Sequence, residues 1–342
     1  MGVITRRLAR FWLPPTITIL VVVGLRTPAS GAQDVQDTRV DVLSVIDTST
    51  GALIANVPVG QLPVGLAVAN DGTRVYVSNR ESGSLSVVDT ASETVVDTVP
   101  FSGVPEALSL SPDGSRLYIA DRKNNRIGVL DTASQTIVAN VILDGVPEAL
   151  AVAPDGSMVY VGTSSQDAVD LVDPTTNDVT TSIALTTAPQ ALASSADGGR
   201  LYFTTYNTHA RRGGALENLD LASRTVETEL IFSSVPQRLI IAPDSSRAFV
   251  THLGMLGLSF VDIAGARIAE EVPLDSLPAG LAMAPDGSRL YVAVGVAPSY
   301  LLTLDALSGQ VIASLPLLGT AQDVTLAPDG SRVYVVHRGD GQ

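Results

Sequence analysis

The side chains with the clearest chemical potential in this sequence are three histidines and two glutamates. The histidines are His209, His252 and His337, and the glutamates, Glu106 and Glu148, stand 42 residues apart. Histidine nitrogens and carboxylate oxygens together bind divalent metal ions that activate water or polarise a carbonyl, and either group can act as a general base. No local ligand spacing such as His-x-x-x-His is present. Such a site therefore needs the fold to assemble it, and otherwise the histidines are ordinary loop residues or hydrogen-bonded core residues.

Several further polar residues occupy equivalent places along the chain. Together with the two glutamates they are Gln190, Gln237 and Gln322, and the last two are followed by Arg238 and Asp323. Polar groups that converge on a concavity form the usual small-molecule site. The alternative is that they line a wet surface without selecting a ligand.

A third candidate is the segment from Tyr206 to Gly214, which carries His209, Arg211 and Arg212. In an acidic chain this cluster of bases predicts recognition of an anionic group. The alternative is a solvated loop whose bases offset neighbouring acids.

Composition excludes several classes of function. The 342 residues carry a formal net charge of −14, with 35 acids against 21 bases, and contain no cysteine. Nucleic acid and anionic membrane surfaces would be repelled, so neither is expected as a partner. The absence of cysteine rules out disulfides, thiolate metal sites, covalent haem attachment and a cysteine nucleophile.

The first 32 residues have the order of a secretory signal peptide. Arg6, Arg7 and Arg10 precede an apolar run from Phe11 to Leu25, and small residues follow up to Ala32. We therefore expect cleavage after Ala32, a short linker over residues 33–37, a periplasmic or secreted protein, and no stable membrane span after cleavage. An uncleaved anchor is the alternative.

The elements that position the candidate residues are predicted by an internal repeat. One landmark is a turn of the Pro-Asp-Gly-Ser-Arg type, and the other is an aspartate that ends an apolar run. The first recurs at Asp71, Asp113, Asp155, Asp197, Asp244, Asp286 and Asp329, and the second at Asp47, Asp89, Asp131, Asp173, Asp220, Asp262 and Asp305. Turn chemistry accounts for both sets, because aspartate side chains bond the backbone of tight turns.

Each repeat is predicted to form four short antiparallel strands, here called a to d from the axis outwards. Four-stranded units at a period of 40–50 residues are typical of propeller blades. The fold class is therefore all-β, a single seven-bladed β-propeller over residues 38–342. Strands c and d from Val40 to Val57 are expected to complete the blade begun by strands a and b from Asp323 to Val336, so that one blade joins the two ends of the chain.

Repeat spacing locates the variable face. All length changes fall between strands b and c, and the b–c loops share one end of the propeller with the d–a loops. Alternate residues of strand a are small, which suits innermost strands that approach closely around an axial channel. All the candidate residues above fall on this b–c/d–a loop face, and His252 and His337 hold equivalent positions two blades apart.

The stretch Val75-Tyr76-Val77-Ser78-Asn79, with an Asp-Gly turn before it and Val-Val-Asp-Thr after it, resembles the YVTN-repeat β-propellers. The resemblance covers residues 38–337 and implies a bacterial, exported propeller. It implies little about function, because the motif residues are architectural. Only the first repeat keeps asparagine at the end of the motif.

These observations predict a non-catalytic, monomeric binding scaffold without a cofactor, which takes a small molecule, a polymer or a protein at the loop face. The alternative is a metal-assisted lactone hydrolase or lyase that uses the carboxylates and histidines with a divalent ion. A quinone or haem subunit is a third option, disfavoured because stacking and axial-ligand residues are scarce.

Overall fold

A computed structural model describes residues 40–206, 213–296 and 298–339. Within these ranges the chain forms seven four-stranded antiparallel sheets and no helix, so the prediction of a seven-bladed all-β propeller is confirmed. No helix in these ranges is long and apolar enough to cross a bilayer.

The strands are numbered in chain order, and each blade runs from its innermost strand to its outermost. Blade 1 contains β3 (Pro63–Val68), β4 (Arg74–Asn79), β5 (Ser84–Asp89) and β6 (Thr94–Pro100). Blade 2 contains β7 (Pro105–Leu110), β8 (Arg116–Asp121), β9 (Arg126–Asp131) and β10 (Thr136–Ile142). Blade 3 contains β11 (Pro147–Val152), β12 (Val159–Thr163), β13 (Ala168–Asp173) and β14 (Asp178–Ala184).

The remaining blades repeat this order. Blade 4 contains β15 (Pro189–Ser194), β16 (Arg200–Tyr206), β17 (Gly214–Asp220) and β18 (Thr225–Phe232). Blade 5 contains β19 (Val235–Ile241), β20 (Arg247–Leu253), β21 (Gly257–Asp262) and β22 (Arg267–Pro273). Blade 6 contains β23 (Pro278–Met283), β24 (Arg289–Val294), β25 (Ser299–Asp305) and β26 (Val311–Leu317). Blade 7 contains β27 (Thr320–Leu326), β28 (Arg332–Arg338), β1 (Val42–Asp47) and β2 (Leu53–Pro58).

Blade 7 joins the two ends of the described chain. β1 pairs with β28 in a register that places Val42 opposite His337 and Asp47 opposite Arg332. The sheet order β2-β1-β28-β27 agrees with the prediction that strands from the two ends of the chain form one blade. Pairing of this kind satisfies backbone groups that would otherwise form exposed strand edges.

The turns between strands a and b follow the predicted chemistry. In blade 1 the Asp71 carboxylate accepts hydrogen bonds from the Thr73 backbone N–H at 2.9 Å and the Thr73 hydroxyl at 2.8 Å. These bonds stabilise the ionised form and hold the pKa of Asp71 below its usual value. Gly72 completes the turn with a φ of 72°, a conformation that favours glycine.

The core lies between neighbouring blades. Tyr76 of blade 1 is almost completely buried and packs in one cluster with Leu117 and Ile119 of blade 2. Arginines that follow the turns also cross between blades: Arg247 donates to the Ala306 carbonyl at 3.1 Å, and Arg332 to the Thr90 carbonyl at 2.6 Å. Packing and these crossing bonds together hold neighbouring blades against each other.

Candidate functional site

The innermost strands of all seven blades line one axial pocket of about 410 Å³. Its volume falls within the range of small-molecule sites. The strands contribute Val64, Glu106, Glu148, Gln190, Arg238, Leu281, Gln322 and Asp323 among others. Six residues predicted from sequence as ligand-binding therefore share one cavity: Glu106, Glu148, Gln190, Arg238, Gln322 and Asp323.

Close packing of the innermost strands explains the composition of the pocket wall. At the position of strand a that is equivalent to Arg238 and Asp323, the other five blades carry glycine or alanine: Gly65, Ala107, Ala149, Ala191 and Gly280. A Cβ added to Gly280 would lie 2.7 Å from the Val324 nitrogen and 2.9 Å from the Asp323 Cα. Arg238 and Asp323 are the two residues at this place that are not small.

Two arginines outside the strands neutralise the glutamates at the rim. Arg122 lies 2.6 Å from Glu148 and 3.5 Å from Glu106, and Arg80 lies 3.3 Å from Glu106. Sequence analysis missed both arginines as site residues. Their position in the repeat could have identified them. Each arginine directly follows the last residue of a strand b, where the b–c loop of one blade reaches the next blade.

These ion pairs change what the carboxylates can do. A glutamate already paired with a guanidinium is a poorer ligand for a divalent cation, because the cation must compete with the arginine. Among the described residues no cluster of three or more histidine, aspartate or glutamate side chains is arranged to hold a metal ion. The rim is better suited to hydrogen bonding and charge complementarity than to Lewis-acid chemistry.

Arg238 and Asp323 place opposite charges in the wall of the same pocket. The Arg238 Nε donates to the Ala279 carbonyl at 3.1 Å, and its backbone N–H donates to the Thr251 hydroxyl at 3.1 Å. Burial raises the pKa of Asp323, whereas the charge of Arg238 and the backbone N–H groups of Val324 and Leu66 oppose that rise.

The three predicted glutamines differ in their surroundings. Gln190 is exposed at the pocket, and Gln322 is half-buried in its wall. Gln237 precedes Arg238 on β19 but does not line the pocket, and its buried Oε1 has no hydrogen-bond partner among the described residues. Amide groups of this kind can both donate to and accept from a polar ligand.

The structure does not bring His252 and His337 to the pocket. Both side chains are 1% exposed and neither lines the axial cavity. His252 Nε2 lies 2.8 Å from the Ser259 hydroxyl, and His337 Nε2 lies 2.6 Å from the Ser44 hydroxyl. Burial lowers the pKa of His252 to about 4, so this imidazole is neutral at physiological pH.

Equivalent residues in other blades show what these two positions do. Asn79 of blade 1 donates to the Ser86 hydroxyl at 2.9 Å, and Asp121 of blade 2 accepts the Val104 backbone N–H at 3.0 Å. His337 bonds the Leu318 carbonyl. The residue at this repeat position, which ends strand b in blades 1 and 2 and is the penultimate residue of strand b in blades 5 and 7, therefore bonds either the adjacent strand c or the incoming d–a loop. We call this position the loop latch, and its role in these blades is structural.

Two sequence predictions lie outside the described residues. His209, Arg211 and Arg212 fall in residues 207–212, and the signal peptide and linker fall in residues 1–37.

Other cavities lie on the opposite face, between adjacent blades. One of them, of about 540 Å³, lies between blades 1 and 2 and is lined by Asp71, Asp113 and Gln135. Similar grooves recur between other blade pairs, and they too are lined by turn aspartates. Because those carboxylates already bond their own turns, the grooves are a consequence of the repeat, whereas the axial pocket combines different side chains.

Comparison with known proteins supports the fold and leaves the function open. The family model described as YNCE-like beta-propeller matches residues 56–152. A solved structure described as Kuenenia stuttgartiensis hydrazine synthase is similar to this chain, with 23% identity, a TM-score of 0.73, and coverage of 82% of this chain and 94% of that chain. No curated protein matches. The chain is thus a β-propeller similar to these proteins, and the finer YVTN-repeat assignment remains a prediction.

Proposed function

We propose that this protein is an exported, non-catalytic, monomeric propeller that binds a small polar ligand in the axial pocket at its b–c/d–a loop face. The observation that carries the proposal is the convergence of charged and amide side chains from blades 2, 3, 4, 5 and 7 on one cavity. Blades 1 and 6 carry Val64 and Ala279 at the position where the other blades carry glutamate or glutamine, so the fold does not require a polar side chain there.

Two observations favour binding over the hydrolase or lyase alternative. The rim glutamates are engaged by Arg80 and Arg122, and His252 and His337 are buried away from the pocket. A general base needs to reach the proton that it removes, and neither described histidine lines the cavity. Export is supported by the order of basic, apolar and small residues in the first 32 positions.

The test is a substitution that fills the pocket with a large side chain. Gln190 is exposed at the cavity, so Gln190→Trp should fill the mouth without disturbing the core. The melting temperature of the purified protein is measured with organic acids, sugars and amino acids, one class at a time. We expect at least one class to raise it, and we expect Gln190→Trp to abolish that rise.

The matched control is Val138→Trp, which adds the same side chain to an exposed position of the outer strand β10. This variant should respond to the ligand like the parent protein. A response that survives Gln190→Trp would place binding elsewhere, and the absence of a response to every class would contradict the proposal.

A further inference from the structure

We propose that Arg238 makes the axial pocket a receptor for small organic monocarboxylates. This inference rests on the proposed function, because it names the chemical class of the ligand that the pocket takes. It depends on the environment of one guanidinium group and on the charges around it.

The fold does not require an arginine at this position. Blades 2, 3 and 4 carry Ala107, Ala149 and Ala191 at the equivalent place, and all three line the same cavity. Arg238 is the one cation at this place in the repeat. A long charged side chain where a methyl group suffices costs side-chain entropy and desolvation, so a role other than packing is indicated.

The local contacts hold this side chain but leave donors free. Its Nε bonds the Ala279 carbonyl of the neighbouring blade, which fixes the direction of the guanidinium. Within the described part of the chain, no carboxylate lies within ion-pair distance of Arg238, and its Nη groups make no hydrogen bond. Arg80 and Arg122 differ, because both are committed to glutamates.

The free Nη groups match a carboxylate in geometry. A guanidinium presents parallel N–H donors that bind both oxygens of a carboxylate at once. The amide of Gln322 lies in the same wall and can bond a hydroxyl or carbonyl elsewhere on the ligand.

The surrounding charges select against more strongly charged anions. Glu106, Glu148 and Asp323 line the same pocket, and the first two already have arginine partners. A phosphate or dicarboxylate would bring two negative charges to one free guanidinium and meet these carboxylates at close range. A monocarboxylate brings only one negative charge and is therefore repelled less by these carboxylates than a phosphate or a dicarboxylate is.

The test compares ligands that carry one carboxylate with a neutral sugar and with a more highly charged anion. Gluconate and glucose share a six-carbon polyhydroxyl skeleton, but only gluconate has a carboxylate. Lactate and pyruvate serve as smaller monocarboxylates, and inorganic phosphate serves as the more highly charged anion. Binding is measured by calorimetry at ligand concentrations up to about 10 mM.

We expect at least one monocarboxylate to bind with one site per chain, and glucose and phosphate to bind at least about tenfold more weakly. Arg238→Ala, which restores the residue of blades 2 to 4, should weaken carboxylate binding by about tenfold or more. Arg238→Lys should retain part of the affinity, because it keeps the charge but loses the paired donors. Arg267→Ala, on the outer strand of the same blade and 67% exposed in its side chain, should bind like the parent.

The outcomes separate this inference from the proposed function. If none of the three monocarboxylates binds, or if Arg238→Ala and Arg238→Lys bind as tightly as the parent while remaining folded, the assignment of ligand class is overturned. If another class of ligand binds and Gln190→Trp abolishes its binding, the pocket function stands and only the carboxylate inference fails.

Discussion

Arg122 is the residue that most changes how the loop face is interpreted. Two glutamates 42 residues apart are candidates for acid–base or metal chemistry in sequence, but Arg122 contacts both of them. Together with Arg80, this guanidinium, which bridges two blades, turns a possible reactive pair into a charge-balanced rim. Among the described residues that line the axial pocket, Arg238 is therefore the cation with no carboxylate within ion-pair distance.

We predict that Arg122→Gln lowers the free energy of unfolding by no more than about 1 kcal/mol, because its side chain is 39% exposed and solvent screens the pairs. A double-mutant cycle with Glu148→Gln, followed by urea unfolding, measures the coupling directly. A coupling of about 3 kcal/mol or more would show that the rim pair acts as a buried ion pair and is essential to the fold.

At the scale of elements, the repeat predicts the strands well and their contacts less well. The turn residues Pro, Asp and Gly mark the a–b hairpins, so the innermost and second strands fall where expected. The apolar pattern of the sequence predicts the fourth strand of blade 2 over Thr136 to Ala139, whereas in the structure this strand extends from Thr136 to Ile142. A register shift between Ile137 and Ala139 lets pairing with β9 continue beyond the irregularity.

The regularity of the repeat also made part of the candidate site predictable. Equivalent positions in a repeat must converge in space, so the ring of Glu106, Glu148, Gln190 and Gln322 follows from spacing. The partners of those residues do not follow from spacing, because Arg80 and Arg122 reach them across blade boundaries. Nor does the burial of the histidines, which depends on the packing of the d–a loops.

The loop latch carries a prediction about pH. Burial lowers the pKa of His252 from its ordinary value of 6.5 to about 4, so the unfolded chain takes up the proton first as pH falls. The contribution of neutral His252 is complete above pH 6.5 and is lost as pH falls towards 4, by about 3 kcal/mol in all. Asparagine occupies this position in blade 1, so His252→Asn should fold and lack this loss.

The measurement is urea unfolding of parent and His252→Asn at pH 7.5, 6 and 4.5. Both proteins share every other titrating group, including Asp170, Glu217 and Asp323, whose pKa values burial raises. The difference between the two stability curves therefore isolates His252. If that difference does not change with pH, the imidazole is not desolvated in the folded protein and the latch interpretation fails.

At the scale of the whole molecule, the carboxylate of Asp41 adds hydrogen bonds to the strand pairs of blade 7 that close the ring. The carboxylate of Asp41 is 6% exposed and accepts the Leu62 N–H at 2.7 Å and the Gly339 N–H at 2.8 Å. One residue thus ties the segment before β1 both to the loop that enters blade 1 and to the segment after β28. Propeller stability should be sensitive to this point, because every innermost strand packs on neighbours that closure holds in place.

Asp41→Ala should lower the free energy of unfolding by about 2 to 4 kcal/mol, since two N–H groups lose their acceptor. Asp41→Asn keeps one acceptor oxygen and should lose about half as much. The readouts are the urea midpoint and amide hydrogen exchange, which should accelerate in β1 and β28 before β9. Asp97→Ala, on the exposed surface of β6, is the control for a lost surface carboxylate. If Asp41→Ala costs no more than Asp97→Ala, the strand pairs alone close the ring and Asp41 is incidental.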